Sequence, residues 1–368
     1  MTDDDLGKRT FRAFPRDRRP VGVRNHVLVV PSVICSGVVA ETIGDAVPEA
    51  TCTPHDHGCG QIGADKDQTR RTLLNVGENP NVAGVLLIGL GCETLDSEAL
   101  AADLDVPVRQ TAIQTAGGTD EAIEAGREAA AELVTEVRES RRREAGLSTL
   151  TLGVTISDLS DSTAKWVNPA IGQLVRTVLD AGGQVAVGGV EPLVPHATDA
   201  RVLSADDAIA EALGDVLDHH REEIPPTGLR RSAVGHDAET ISSLWDNAPI
   251  TEVLAYGERV TDGAGVSVVD TPGGFEESAT ALAAAGAQVI VHGTGAGIPT
   301  GHPVVPVVKI TGDSETAAAL GDDIDIDAQT TQPRELVDRV LETASGRQTA
   351  AEKHGLTSFA LTRTGPSL

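Results

Sequence analysis

Ten consecutive residues, Cys52-Thr53-Pro54-His55-Asp56-His57-Gly58-Cys59-Gly60-Gln61, hold two thiols, two imidazoles and a carboxylate. All five can ligate a metal or carry a proton. Pro54, Gly58 and Gly60 keep the stretch out of a regular helix. The other two cysteines, Cys35 and Cys92, each end an apolar run, Val27–Cys35 and Val82–Cys92. If those runs are neighbouring parallel strands, their thiols reach the sheet edge that carries the loop, where open α/β sheets place their sites. Six residues separate Cys52 from Cys59, wider than the spacing of a zinc knuckle. The loop is therefore read as a metal or cluster site, as a metal-free catalytic loop, or as ordinary loop chemistry with buried thiols.

The elements that must position these groups follow from pattern. Val27–Val33 and Val82–Leu90 are continuous apolar runs, as in strands buried on both faces. Helices are expected near 36–46, 64–76 and 97–104, a strand at 106–110, and a long charged helix from about 119 to 145 ending in the arginine-rich stretch Arg138–Arg143. The alternation then restarts, with strands at 150–156, 184–190, 265–270, 288–292 and 304–310 and helices near 169–181, 205–223, 275–285, 314–320 and 333–345. The fold class is α/β, two α/β domains with mostly parallel sheets. The expected organisation is a polar arm at 1–20, a first domain with the Cys/His loop at 21–147, a second at 148–346 and a tail at 347–368.

Composition narrows the rest. The chain has 368 residues, 55 acidic against 29 basic, a net charge of −26 and seven aromatic residues (four Phe, two Trp, one Tyr). The core must be built from Val, Leu, Ile and Ala. An acid excess spread along the chain, with five lysines, fits a protein hydrated in concentrated salt, so a halophilic cytosol is expected. Duplex nucleic acid is a poor partner for such a surface. No apolar run reaches membrane-helix length, and four cysteines do not make a disulfide framework, so a soluble, cytoplasmic, reduced protein is expected.

Phe14-Pro15-Arg16-Asp17, Val21-Gly22-Val23-Arg24-Asn25-His26 and Pro31…Cys35 resemble the opening of the altronate/galactarate dehydratase family. His55–Gln61, Asn79–Gly84 with Gly89–Glu93, Asn168–Gly172, Ala284–Gly301, Pro306…Ile310 and Asp323–Asp325 continue the resemblance in order over about residues 12–345. It implies a metal-dependent lyase, iron favoured, that removes water or sulfite from a sugar acid or hydroxy acid. It also implies a small domain or separate small subunit beside the large portion seen here. Three stretches depart from the pattern: Ile156–Asp161 lacks a cysteine, His236-Asp237-Ala238 lacks a lysine, and Gly295-Ala296-Gly297 lacks an arginine. A diverged non-catalytic subunit that keeps a metal loop is the alternative.

Such chemistry needs a base for a weakly acidic C–H, a cation for the carboxylate and an acid for the leaving group. His55, His57, Arg24 and Lys309 are the candidate catalytic residues. His55, His57 and Cys59 are candidate ligands of a divalent ion, and Cys35, Cys59 and Cys92 could hold an iron–sulfur cluster. Asn25, Gln61, Glu93, Gly295 and Gly297 are candidate substrate contacts, the two glycines through amides that could cradle an anion. A homo-oligomer is left open.

Overall fold

A computed structural model describes residues 9–261 and 265–364. Its strands are β1 Thr10–Ala13, β2 His26–Pro31, β3 Ala50–Cys52, β4 Val82–Gly89, β5 Val108–Ala112, β6 Arg143–Gly146, β7 Thr151–Ile156, β8 Gln184–Gly188, β9 Ile250–Leu254, β10 Val266–Val269, β11 Val289–Gly293, β12 Val307–Thr311 and β13 Ile326–Asp327. They form a four-stranded sheet, β3-β2-β4-β5, a seven-stranded sheet, β13-β12-β11-β7-β8-β10-β9, and the pair β1-β6. Every pairing in the two larger sheets is parallel, and β1-β6 is antiparallel. The expected α/β class with parallel sheets is what the chain adopts.

Each sheet has a point where the strand order reverses. In the first it lies between β2 and β4, in the second between β7 and β11. Crevices beyond the strand ends at such points are where ligands of this architecture bind. Ser32–Cys35 and Leu90–Glu93 leave the first crevice; Ser157–Asp158 and Thr294–Gly295 leave the second.

The sheets share a core. On its outer face the first sheet packs Val27, Val29, Leu86 and Ile88 against Ile43 and Leu133 of the helices Gly37–Ala46 and Thr119–Val137. Its inner face packs Leu28, Val30, Val85 and Leu87 with Leu73 and Val76 of the helix Gly63–Gly77. The same cluster continues through Phe275 and Leu282 of the helix Phe275–Ala284 to Ile290 and Val307 of the second sheet. Phe359 and Leu361, near the C-terminus, are buried in this junction, so burial of apolar area holds the two units against each other.

The long helix ends at Val137, not near residue 145, and Arg143–Gly146 becomes β6. Arg138 is the C-cap of that helix, and the Arg141 guanidinium donates to its carbonyl at 2.6 Å. Arg142 donates to the Arg12, Ala344 and Val23 carbonyls at 2.6, 3.0 and 2.8 Å and lies 4.5 Å over the Phe14 ring. These long-range bonds draw the segment out as a strand beside β1, whose Phe11 and Ala13 are buried. Residues 9–20 therefore include a packed strand. No helix among the described residues is long and apolar enough to cross a membrane.

Candidate functional site at the carboxyl edge of the four-stranded sheet

Cys52 is the last residue of β3, and the loop Thr53–Ile62 then crosses the carboxyl edge of the sheet. The loop is clamped to β2. Thr53 N–H donates to Val29 O at 3.1 Å, and Ile34 N–H to His57 O at 2.8 Å. Gly58 has φ +93°, and a Cβ there would lie 2.3 Å from Ser32 O. Both the conformation and the space require glycine. Gly58→Ala should therefore lower stability by more than about 1 kcal/mol and displace the loop; a urea midpoint equal to that of the unmodified protein would contradict this packing.

The two histidines have opposite situations. His55 is saturated: its Nε2 sits 2.8 Å from Pro31 O, and its Nδ1 accepts from His57 N–H at 3.2 Å. Pairing with a carbonyl makes Nε2 the protonated nitrogen. Burial pulls its pKa down to about 4, so it is a neutral structural group. His57 is buried with neither ring nitrogen hydrogen-bonded. Burial first, then the Arg363 guanidinium, pull its pKa below the usual imidazole value. At neutral pH it holds two unengaged nitrogens, one of them a basic lone pair.

The groups around His57 are ordered. Gln61 accepts from Gly58 N–H at 3.0 Å and donates to Asp65 Oδ2 at 3.0 Å, and Asp65 Oδ1 accepts from Thr364 N–H at 3.1 Å. This chain of bonds holds the C-terminal segment, with exposed Arg363, beside the loop. A cleft of about 550 Å³ is lined by His55, Asp56, His57, Val38, Glu277 and Phe359. Ile34, Val38 and Ile62 are exposed apolar residues of this edge, at 44%, 73% and 74%, and the first two line the cleft.

Glu93 fills the crevice between β2 and β4. Its carboxylate accepts from the Leu90, Gly91 and Cys92 amides at 3.1, 2.5 and 2.9 Å and from Ser32 Oγ at 2.8 Å. The crevice between β7 and β11 is closed likewise. Asp158 accepts from Gly295 N–H at 2.6 Å, and the Gly297 amide donates to Thr294 Oγ1 at 3.0 Å. The amides at Gly295 and Gly297 are thus engaged within the chain, with the Asp158 carboxylate where an anionic ligand was expected.

Cys35, Cys59 and Cys92 are all exposed on this edge, on the three loops after β2, β3 and β4. Cys52 is half-buried at the end of β3, and desolvation with nearby Glu41 pushes its thiol up to about 12, which makes it a poor nucleophile. Among the described residues no three or more His, Cys, Asp or Glu are grouped to hold a metal ion. With His55 saturated and the thiols turned to solvent, the residues as arranged do not form a ready metal or cluster cage.

Arg24 and Asn25 are not part of this edge. They precede β2, at its opposite end. Arg24 forms a fork with Glu352 at 2.7 and 2.8 Å and donates to Val23, Thr343 and Arg347 carbonyls, while Asn25 bonds Arg16 and the Val137 carbonyl. Both hold elements together. Lys309 stands in β12 beside His292 of β11. Both side chains are fully buried, and neither Lys309 Nζ nor either His292 ring nitrogen finds a hydrogen-bond partner. Burial lowers the Lys309 amine to about 8 despite Asp325 and Asp323. Arg363 and Asp65 were not foreseen from sequence; they reach the loop from distant segments, and no local spacing signals that.

Two parallel sheets, with the polar loop after β3 clamped against the carboxyl end of β2, define an α/β protein with a candidate site at a sheet edge. Residues 13–138 match the family model for the second domain of D-galactarate dehydratase/altronate hydrolase, and residues 243–367 the model for the C-terminal region of D-galactarate/altronate dehydratase. The chain belongs to the altronate/galactarate dehydratase family. It is 28% identical to the altronate dehydratase of Bacillus subtilis over 98% of this chain and 79% of that one. It is also 28% identical to the (2R)-sulfolactate sulfo-lyase subunit beta of Chromohalobacter salexigens over 98% of both chains. A galactarate dehydratase of Escherichia coli is 27% identical over 78% of this chain and 61% of its own length. Two of these relatives are named as dehydratases and one as a subunit of a sulfo-lyase.

Proposed function

We propose that the chain is the large subunit of a lyase that eliminates water or sulfite from a hydroxy acid or sugar acid at the His57 cleft. The observation that carries this reading is His57 itself, a buried imidazole with both nitrogens unengaged and its pKa lowered. An isolated buried polar group costs stability and is retained where it has work to do. In elimination, His57 accepts the proton from the carbon next to the carboxylate. The electron pair forms the new double bond as the leaving group departs, and the imidazolium can return the proton to that group. Arg363, whose charge acts on His57, is proposed as the cation that favours the substrate carboxylate. No step is assigned to a metal, because the side chains do not form a cage for one. Fe2+ loading is proposed only for the assembled complex, because the described residues of this chain group no cage for a metal by themselves.

A separate small subunit is proposed as partner, supported by the relative named as a beta subunit and by the exposed apolar residues Ile34, Val38 and Ile62 beside the cleft. The test is co-expression with a candidate small subunit, anaerobic purification, and assay of altronate, galactarate and sulfolactate for keto acid or sulfite. Activity in the complex and little in the isolated chain is the expected result. Full activity of the isolated chain would overturn the partner requirement. Inactivity of both forms with iron bound would favour the non-catalytic subunit, the reading supported by the internally filled amides of Gly295 and Gly297.

A further inference from the structure

The amino-terminal edge of the four-stranded sheet has a cleft whose charge is opposite to that of the molecule. It measures about 830 Å³ and is lined by Arg12, Arg24, Arg138, Arg141 and Arg142, with Glu49 as its lining carboxylate. Arg24 is neutralised by Glu352 and Arg138 by Glu49, at 2.7 and 3.0 Å. Among the described residues the other three have carbonyl oxygens, not carboxylates, as acceptors. Arg12 donates to Arg142 O at 3.2 Å, Arg141 to Arg138 O at 2.6 Å and Ser140 O at 3.3 Å, and Arg142 to the carbonyls named above. Carbonyls orient a guanidinium and occupy some of its five donors, but they leave the other donors and its charge in place. The cleft thus concentrates about three uncompensated positive charges in a chain of net charge −26. The strain of that arrangement shows at Arg142, which burial and then Arg24 and Arg12 bring down to about 10.

We propose that this cleft is a binding site for a small polyanion, a ligand carrying two or three carboxylate or phosphate groups. Three guanidiniums preset by backbone carbonyls match such a ligand in charge and in bidentate geometry. The site is separate from the His57 cleft. Residues 24–26 enter β2, whereas the Pro31 carbonyl that holds His55 ends it, and six residues of strand span roughly 20 Å. The walls come from β1, from the segment after the helix Thr119–Val137 and, through the Ala344 carbonyl, from the helix Pro333–Ala344. Occupancy would lock this junction of both units and raise thermal stability.

The test is calorimetric titration of the full chain with pyrophosphate and with citrate at low ionic strength, with melting curves alongside. Saturable one-to-one binding and a raised melting temperature are expected. Tighter binding of pyrophosphate would assign a phosphorylated ligand, and tighter binding of citrate a polycarboxylate. The double variant Arg12→Gln, Arg141→Gln should weaken binding roughly tenfold or more. Arg221→Gln, on the exposed face of the helix Asp207–Glu223, should not. Arg141→Gln alone, which loses bonds only within its own loop, keeps the comparison valid if the double variant is unstable. Absence of saturable binding, or equal weakening by Arg221→Gln, would overturn the proposal.

Discussion

Replacement of His57 by Gln is expected to lower kcat/KM by about 10²–10⁴-fold while leaving the fold intact. The ring makes no hydrogen bond, so its removal breaks none, and the melting temperature should hold or rise slightly. His55→Gln is the contrasting control. It disturbs the bonds to Pro31 O and from His57 N–H, and should lower stability by about 1–3 kcal/mol. The pH profile adds a second readout. A base works when deprotonated, and burial with Arg363 lowers the pKa of His57. Activity should therefore persist to pH values below the ordinary imidazole range and fail only on the acid side. Arg363→Gln removes a charge that disfavours the imidazolium, so it should move the acid limb to higher pH. Activity of His57→Gln within a few-fold of the unmodified protein would remove His57 as the base.

The parallel strands were legible because they are continuous apolar runs. β4, β7, β8 and β10 lie within the runs read from sequence, β2, β11 and β12 overrun theirs by one residue, and the helices read between them agree to within a few residues except Thr119–Val137, which stops short of the expected end. β3 is only three residues long, and β9, Ile250–Leu254, carries Thr251 and Glu252 inside an apolar frame; neither gives a run long enough to read. β1 and β6 escaped for another reason. Their pairing depends on Arg142 reaching the Arg12 and Ala344 carbonyls, 130 and 202 residues away, and tertiary contacts of that separation leave no local period. At the site, residue type and spacing gathered Cys35, His55, His57, Cys59, Gln61, Cys92 and Glu93 at one edge. Sequence could not divide the two histidines into a saturated one and a free one, because the partner that decides this is a carbonyl. It placed Arg24 and Asn25 with the chemistry because they adjoin β2, but they adjoin its other end.

The largest effect on stability is expected at Glu191. This carboxylate follows β8 and is fully buried. Arg230 forks onto it at 2.6 and 2.7 Å, and His220 Nδ1 lies 2.9 Å away; the other His220 nitrogen is 2.6 Å from Asp270, which follows β10. The partners lie 29 to 50 residues apart along the chain, and they hold the helices Asp207–Glu223 and Gly228–Ala233 onto the strand ends. Burial alone would raise the pKa of Glu191, but bonds from His220 and Arg230 outweigh it and hold the group at about 2. Burial alone would lower that of His220, but bonds to Asp270 and Glu191 hold it at about 9. Glu191→Gln leaves two buried cations short of a counter-charge and should cost about 3–5 kcal/mol, lowering the melting temperature by roughly 10 °C. The signs give a pH window. The Glu191 contribution is complete above its ordinary value of 4.5 and is lost as pH falls toward 2. The His220 contribution is complete below its ordinary value of 6.5 and is lost as pH rises toward 9. The network therefore stabilises fully between those two ordinary values. Melting curves at fixed high salt should show the unmodified protein losing its advantage over Glu191→Gln on both sides of that window. Parallel curves for the two proteins from acid to alkaline pH would show that these charges do not stabilise the fold.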